Sequence, residues 1–100
     1  MILYNLTIKI DTVIENQWLD WMQTEFIPHI LNSQRFSDHK LCRLLGLEEA
    51  DGITFALQLF CKNIQDLESF KKEEESNIQV ELLRKFPNQL VFFPTAMEIL

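Results

Sequence analysis

The first nine residues after Met1 constrain this chain most. Ile2, Tyr4, Leu6, Ile8 and Ile10 alternate with Leu3, Asn5, Thr7 and Lys9. Successive side chains of a strand point to opposite faces, so the alternation describes a strand with one wholly apolar face and one mixed face. The apolar row must be covered by something else in the chain. Asp11 or Thr12 then offers an oxygen to cap a helix, and the period changes. From Val13 onward, Ile14, Trp18, Trp21, Met22 and Glu25 share one side of a 3.6-residue helix, with Leu19 and Phe26 on its shoulder. Pro28 lacks an N–H and crowds the preceding turn, so the helix is expected to kink or end near Ile27. His29 to Leu31 read as a further short turn and Asn32–Ser33 as loop.

A second strand is read over Phe36 to Glu48. A turn at Glu49-Ala50-Asp51-Gly52 follows, then a third strand from Ile53 to Cys61 whose Ile53, Phe55, Leu57, Leu59 and Cys61 form an apolar face. Placing Glu48 opposite Ile53 sets Cys42 against Leu59 and Lys40 against Cys61. The two cysteines then share a face as diagonal neighbours, about 7–8 Å apart and beyond disulfide reach. Asn63 caps a second helix running to Lys85, with Ile64, Leu67, Phe70, Ile78, Leu82 and Phe86 in one stripe. The run from Lys71 to Asn77 interrupts that stripe and reads as a solvated segment, bent or broken there. Phe86-Pro87-Asn88 makes a turn, and Leu90 to Leu100 is the last strand. Pro94 cannot donate to a ladder and puts that strand at an edge or on a bulge.

Strand, helix, strand, strand, helix, strand is the α+β ferredoxin-like order, βαββαβ: a four-stranded antiparallel sheet with two helices on one face. The 100 residues make a single domain spanning 1–100. The helices cover only one side of the sheet. The other side is expected to carry Asn5, Thr7, Lys9, Leu41, Arg43, Leu45, Ala56, Gln58, Phe60, Phe92, Pro94 and Ala96. So many large apolar groups mark an interaction face, and the simplest partner is a second copy about a two-fold axis.

Charge narrows the partners further. A net charge of −6 opposes general binding to nucleic acid or an anionic membrane. The first residues carry no basic run ahead of an apolar segment, and no stretch approaches the ~20 apolar residues of a membrane span. A cytoplasmic protein with reduced thiols is expected, Cys42 and Cys61 both being packing residues. No cofactor or metal is expected: the cysteines lack C-x-x-C spacing, and two glycines are too few for a phosphate loop.

Several residues could carry a site. Trp18 and Trp21 lie one turn apart and read first as core, second as a stacking platform. Glu25 is the anomaly, a carboxylate in an apolar stripe. With His29 four residues on, it could form an acid/base couple. The plainer readings are that Pro28 swings both to solvent, or that Glu25 pairs with a base from the sheet. Trp18, Trp21, Glu25 and His29 are thus the ligand-pocket candidates. Asn5, His39, Arg43, Phe60 and Phe92 are the candidates for a dimer interface, with Arg43 alternatively an anion ligand.

The run Trp18-Leu19-Asp20-Trp21-Met22 followed by Phe26-Ile27-Pro28 resembles a small uncharacterised bacterial family, a domain of unknown function, in the dimeric α/β-barrel superfamily. The opening Ile2-Leu3-Tyr4-Asn5, Cys42-Arg43-Leu44-Leu45, Gly52-Ile53-Thr54-Phe55 and Phe86 to Glu98 match it too, in order along nearly the whole chain. The resemblance implies a ferredoxin-like fold and a homodimer. It supplies no activity, though the wider superfamily includes cofactor-free oxygenases of quinol-like substrates. Relatives often carry His before the Ile-Pro pair and Arg in the last strand, where this chain has Phe26 and Pro94. Two functional readings follow. The first is a non-catalytic homodimeric module binding a protein partner or a small apolar ligand. The second is a cofactor-independent, oxygenase-like enzyme with a pocket between the first helix and the sheet.

Overall fold

The computed structural model describes all residues, Met1 to Leu100. Four strands, β1 (Ile2–Ile10), β2 (Asp38–Arg43), β3 (Ile53–Cys61) and β4 (Leu90–Glu98), form one antiparallel sheet in the order β2-β3-β1-β4. The first helical arm comprises α1 (Glu15–Trp21), a π-helical turn (Met22–Phe26) and α2 (Ile27–Leu31); the second comprises α3 (Ile64–Glu73) and α4 (Glu75–Lys85). This is the α+β, ferredoxin-like arrangement. Both arms pack on the face of the sheet that carries Ile2, Tyr4, Leu6, Ile8 and Ile10, and all five of these are buried. No helix is long and apolar enough to cross a membrane.

The local chemistry explains the elements. Asp11 accepts a hydrogen bond from the Val13 N–H and starts a 3₁₀ turn, Thr12–Ile14, that leads into α1. Asn63 accepts from the Asp66 N–H at 2.9 Å and caps α3. The second arm does break in the acidic run, at Glu74, where φ is −129°. Gly52 closes the β2–β3 connection with φ +156°; a Cβ there would meet the Ile10 carbonyl at 2.9 Å, so the turn accepts no side chain without moving β1.

The first arm departs from a regular helix. The Ile27 N–H donates to the Met22 carbonyl, five residues back. That extra residue rotates the helix after Trp21, so the buried stripe runs Trp18, Trp21, Met22, Phe26, Ile27, Ile30. Glu25 and His29, which an uninterrupted helix would bring inward, are exposed. Of the readings open for Glu25, the structure agrees with the one that turns it and His29 to solvent, and the π turn is what turns them. Pro28 sits just after the π turn, where a regular helix would lack the proline's hydrogen bond.

Two strand assignments are also corrected. β2 is shorter than Phe36–Glu48, and its register places Leu41 opposite Leu57 and Cys42 opposite Ala56. Leu41 thus joins the core face and Cys42 the open one, while Cys61 is buried under the helices. The cysteines lie on opposite faces, not side by side. In β4, which ends at Glu98, Ile10 pairs with Leu90 and Ile8 with Phe92, so Leu90 and Phe92 face the core. Pro94 and Ala96 share their side, and Val91, Phe93, Thr95 and Met97 point to the open face.

Pro94 is at an edge, as expected. Asp11 N–H donates to the Gln89 carbonyl and Ile99 N–H to the Met1 carbonyl, each at 2.8 Å. Hydrogen-bonded pairs recur every second residue, so the Leu6–Pro94 pair lies between them. The proline nitrogen consequently points to the free edge, where it interrupts the row of donors another strand would need.

Cys61 is buried against solvent, and that burial raises its thiol pKa. Under native oxidising conditions mass spectrometry should find no Cys42–Cys61 bridge, and Cys61 should resist iodoacetamide until the chain is unfolded in urea. An intrachain bridge in native protein would contradict the β2–β3 register.

Candidate functional site

Two regions could carry function: the open face of the sheet and the clefts between the two helical arms. On the open face, Leu3 lies between Phe60 and Met97, Asn5 between Gln58 and Thr95, and Thr7 between Ala56 and Phe93. Phe93 and Val91 are 59% and 67% exposed. At the polar centre of the face, Asn5 Nδ2 donates to Thr7 Oγ1 at 3.0 Å. Phe60 lies on this face as expected. Phe92 does not, for the reason given above.

His39 and Arg43 leave the open face too. Both occupy positions of β2 opposite core residues, Leu59 and Phe55, and His39 is exposed there. Arg43 clamps Glu49 through Nε and Nη2, at 3.2 and 2.7 Å, and Glu15 through Nη1 at 3.0 Å. It ties the start of α1 to the β2–β3 connection and is already neutralised, so it is no vacant anion ligand. Hydrogen bonding to Arg43 holds the Glu49 carboxyl below its ordinary pKa. Its stabilising contribution is therefore present above the ordinary carboxylate pKa and is lost as pH falls through the lowered value.

The ligand-pocket candidates also scatter. Trp18 is fully buried, its ring 4.8 Å from Phe55, and its indole N–H has no acceptor. Trp21 is 6% exposed and lies between Phe26 at 4.9 Å and Phe86 at 5.5 Å. Glu25 makes no ion pair. His29 turns to the other arm, with Nδ1 3.1 Å from Glu81 Oε2. The anticipated Glu25–His29 couple is not formed. Trp21 and His29 line two clefts between the arms, of about 520 Å³ and 120 Å³, both bordered by Asn77.

The acidic run, read as a solvated segment, is held by groups distant in sequence. Tyr4 donates its hydroxyl to Glu75 Oε2 at 2.7 Å, and Arg35 bridges Glu73 and Glu74, the latter at 2.6 Å. Burial first, and then the Glu75 carboxylate, push the Tyr4 phenol far above its ordinary pKa. No local pattern announces these partners. No group of three or more histidine, cysteine, aspartate or glutamate side chains is placed to hold a metal ion.

The family model for a domain of unknown function, DUF4286, matches residues 1–100. The chain belongs to that family. DUF4286 as seen here is similar to HapK from Hahella chejuensis, at 13% identity and a TM-score of 0.71 over 100% of this chain and 93% of that one. It is also similar to a dimeric ferredoxin-like protein from an uncultured marine organism, with 10% identity, TM-score 0.63, and 98% and 97% of the two chains covered. A candidate antibiotic biosynthesis monooxygenase from Deinococcus radiodurans gives 12% identity and a TM-score of 0.64 over 99% and 92%. At such identities the likeness concerns the fold. No curated protein matches this DUF4286 chain.

Two substitutions separate the structural carboxylates from the exposed one. Glu25→Gln should change stability by less than ~0.5 kcal/mol, because the side chain is in solvent. Tyr4→Phe should cost about 1–2 kcal/mol by removing the donor that Glu75 accepts from. Urea denaturation of both variants checks the pair; a large loss for Glu25→Gln would contradict the π-turn placement.

Proposed function

We propose that this DUF4286 chain is a non-catalytic homodimeric module in which two copies pack open sheet face to open sheet face about a two-fold axis. The observation that carries the reading is the uncovered apolar surface of Leu3, Phe60, Val91, Phe93 and Met97 on the face of the sheet opposite the helices. A patch of this kind is costly to leave in water. The edges offer a poorer contact. β4 is interrupted by Pro94, and β2 presents Asp38, His39 and Lys40. The dimeric ferredoxin-like neighbour from the marine organism supports a homodimer. Such a dimer would serve as a scaffold for a protein partner or a small ligand, and two free thiols fit a reducing, cytoplasmic setting.

The second reading, an oxygenase-like enzyme with a pocket between the first helix and the sheet, has one specific observation in its favour: the Trp18 indole N–H, a donor without an acceptor at the centre of that layer. Trp18, Met22 and Phe26 are each fully buried in the same layer, which favours the module.

Light scattering at micromolar concentration should give about twice the 11.9 kDa chain mass. Phe93→Lys should give a folded monomer, since the side chain is exposed within one chain and covered only in the pair. A monomeric parent protein would overturn the proposal.

A further inference from the structure

The helices leave one stretch of their own side of the sheet uncovered. On that side β4 carries Leu90, Phe92, Pro94, Ala96 and Glu98. Leu90 is buried and Phe92 partly buried, but Pro94, Ala96 and Glu98 are exposed. Between this end of β4 and the start of α3 runs a groove of about 390 Å³, lined by Ile2, Ile64, Leu67, Ala96, Met97 and Glu98. Ile2 and Leu67 are buried at its base, while Ile64 and Met97, 44% and 42% exposed, supply accessible apolar surface. Glu98 is its only charged side chain.

One wall of this groove is also a strand edge. The Ile99 N–H donates to the Met1 carbonyl, so by the alternation of an antiparallel ladder Leu3 and Asn5 exchange bonds with Met97 and Thr95. Ala96 and Glu98 therefore turn both N–H and C=O outward, to the free edge, where no fifth strand meets them. Pro94 breaks the row of donors and discourages pairing along the whole of β4, but beyond it these two donors remain. A segment hydrogen-bonded to them is extended, and its alternate side chains fall on the helical side, over Ile64 and Leu67.

We propose that this edge and groove together bind a short extended segment of a partner protein by strand addition. The segment is apolar at alternate positions and carries a basic side chain opposite Glu98. A second copy of this chain is a poorer occupant, because it brings its own Glu98 to the same short edge and like charges across paired strands repel. The net charge of −6 also steers a basic segment toward the protein. The proposal rests on the scaffold reading for the existence of a protein partner, and it gives that partner its chemistry.

The probe is the peptide acetyl-TVTVTKT-amide, with acetyl-TVTVTET-amide as its charge-reversed counterpart, each titrated into isotope-labelled protein and followed by NMR. Saturable shifts are expected at the Ala96 and Glu98 amides and the Ile64 and Leu67 methyl groups, with slower hydrogen exchange at the two amides. The glutamate peptide should bind about fivefold more weakly. Glu98→Lys should reverse that preference. Ala96→Pro removes one outward donor without touching a bond to β1, so it should abolish binding and leave the fold intact. Equal binding of the two peptides to the parent protein would overturn the proposal. So would undiminished binding to a folded Ala96→Pro variant, shifts confined to other surfaces, or none at millimolar peptide. A parent protein that light scattering finds larger than a pair, with the Ala96 and Glu98 amides already protected, would overturn it too, since another copy would then hold the edge. The same measurement without peptide reports pairing separately, so failure of the groove and failure of the dimer are distinguishable.

Discussion

The apolar row of β1 is the constraint on which the rest of the structure depends. Ile2, Tyr4, Leu6, Ile8 and Ile10 lie in one of the two central strands, and none is more than 9% exposed. Burying a side chain of that size contributes about 1.5–3 kcal/mol, so the row alone outweighs any single ion pair on the surface. Everything on the helical side answers to it. Trp18 and Met22 from the first arm and Leu67, Phe70, Ile78 and Leu82 from the second belong to the same core as the row. A sheet has two faces, however, and a chain of 100 residues supplies helices for one. The open face is the remainder of that arithmetic, and its apolar content is the basis of the proposed dimer.

How much of this was legible in the sequence depends on whether one face of an element was clearly more apolar than the other. β1 and β3 were, and their spans and inward residues agree with the structure. β4 was not: Leu90, Phe92, Pro94 and Ala96 are as apolar as Val91, Phe93, Thr95 and Met97. Its orientation comes from the pairing of Ile10 with Leu90, a long-range contact that no local pattern contains. The leucines at positions 41, 44, 45 and 47 likewise allowed more than one β2 register. In the first arm, Trp21 followed five residues later by Phe26, with Pro28 close behind, was the available sign of a π turn. A fixed 3.6-residue period read through it and placed Glu25 inside.

The candidate site was legible only in part, because its electrostatics are long-range. Trp21 and His29 do border clefts, but between the helical arms and not between helix and sheet. Tyr4, Arg35 and Arg43 find carboxylates that lie 71, 39 and 28 residues away. The acidic run and the lone arginines therefore looked unpaired in the sequence and are paired in the fold.

The face-to-face dimer is the central claim, and contact across the open sheets tests it most directly. In a mixture of ¹³C-labelled and unlabelled protein, isotope-filtered NOE spectra should show cross-peaks between protomers from the Leu3 and Met97 methyl groups to the Phe60 and Phe93 rings. Intermolecular NOEs from helix residues instead, or none from the sheet, would contradict the account.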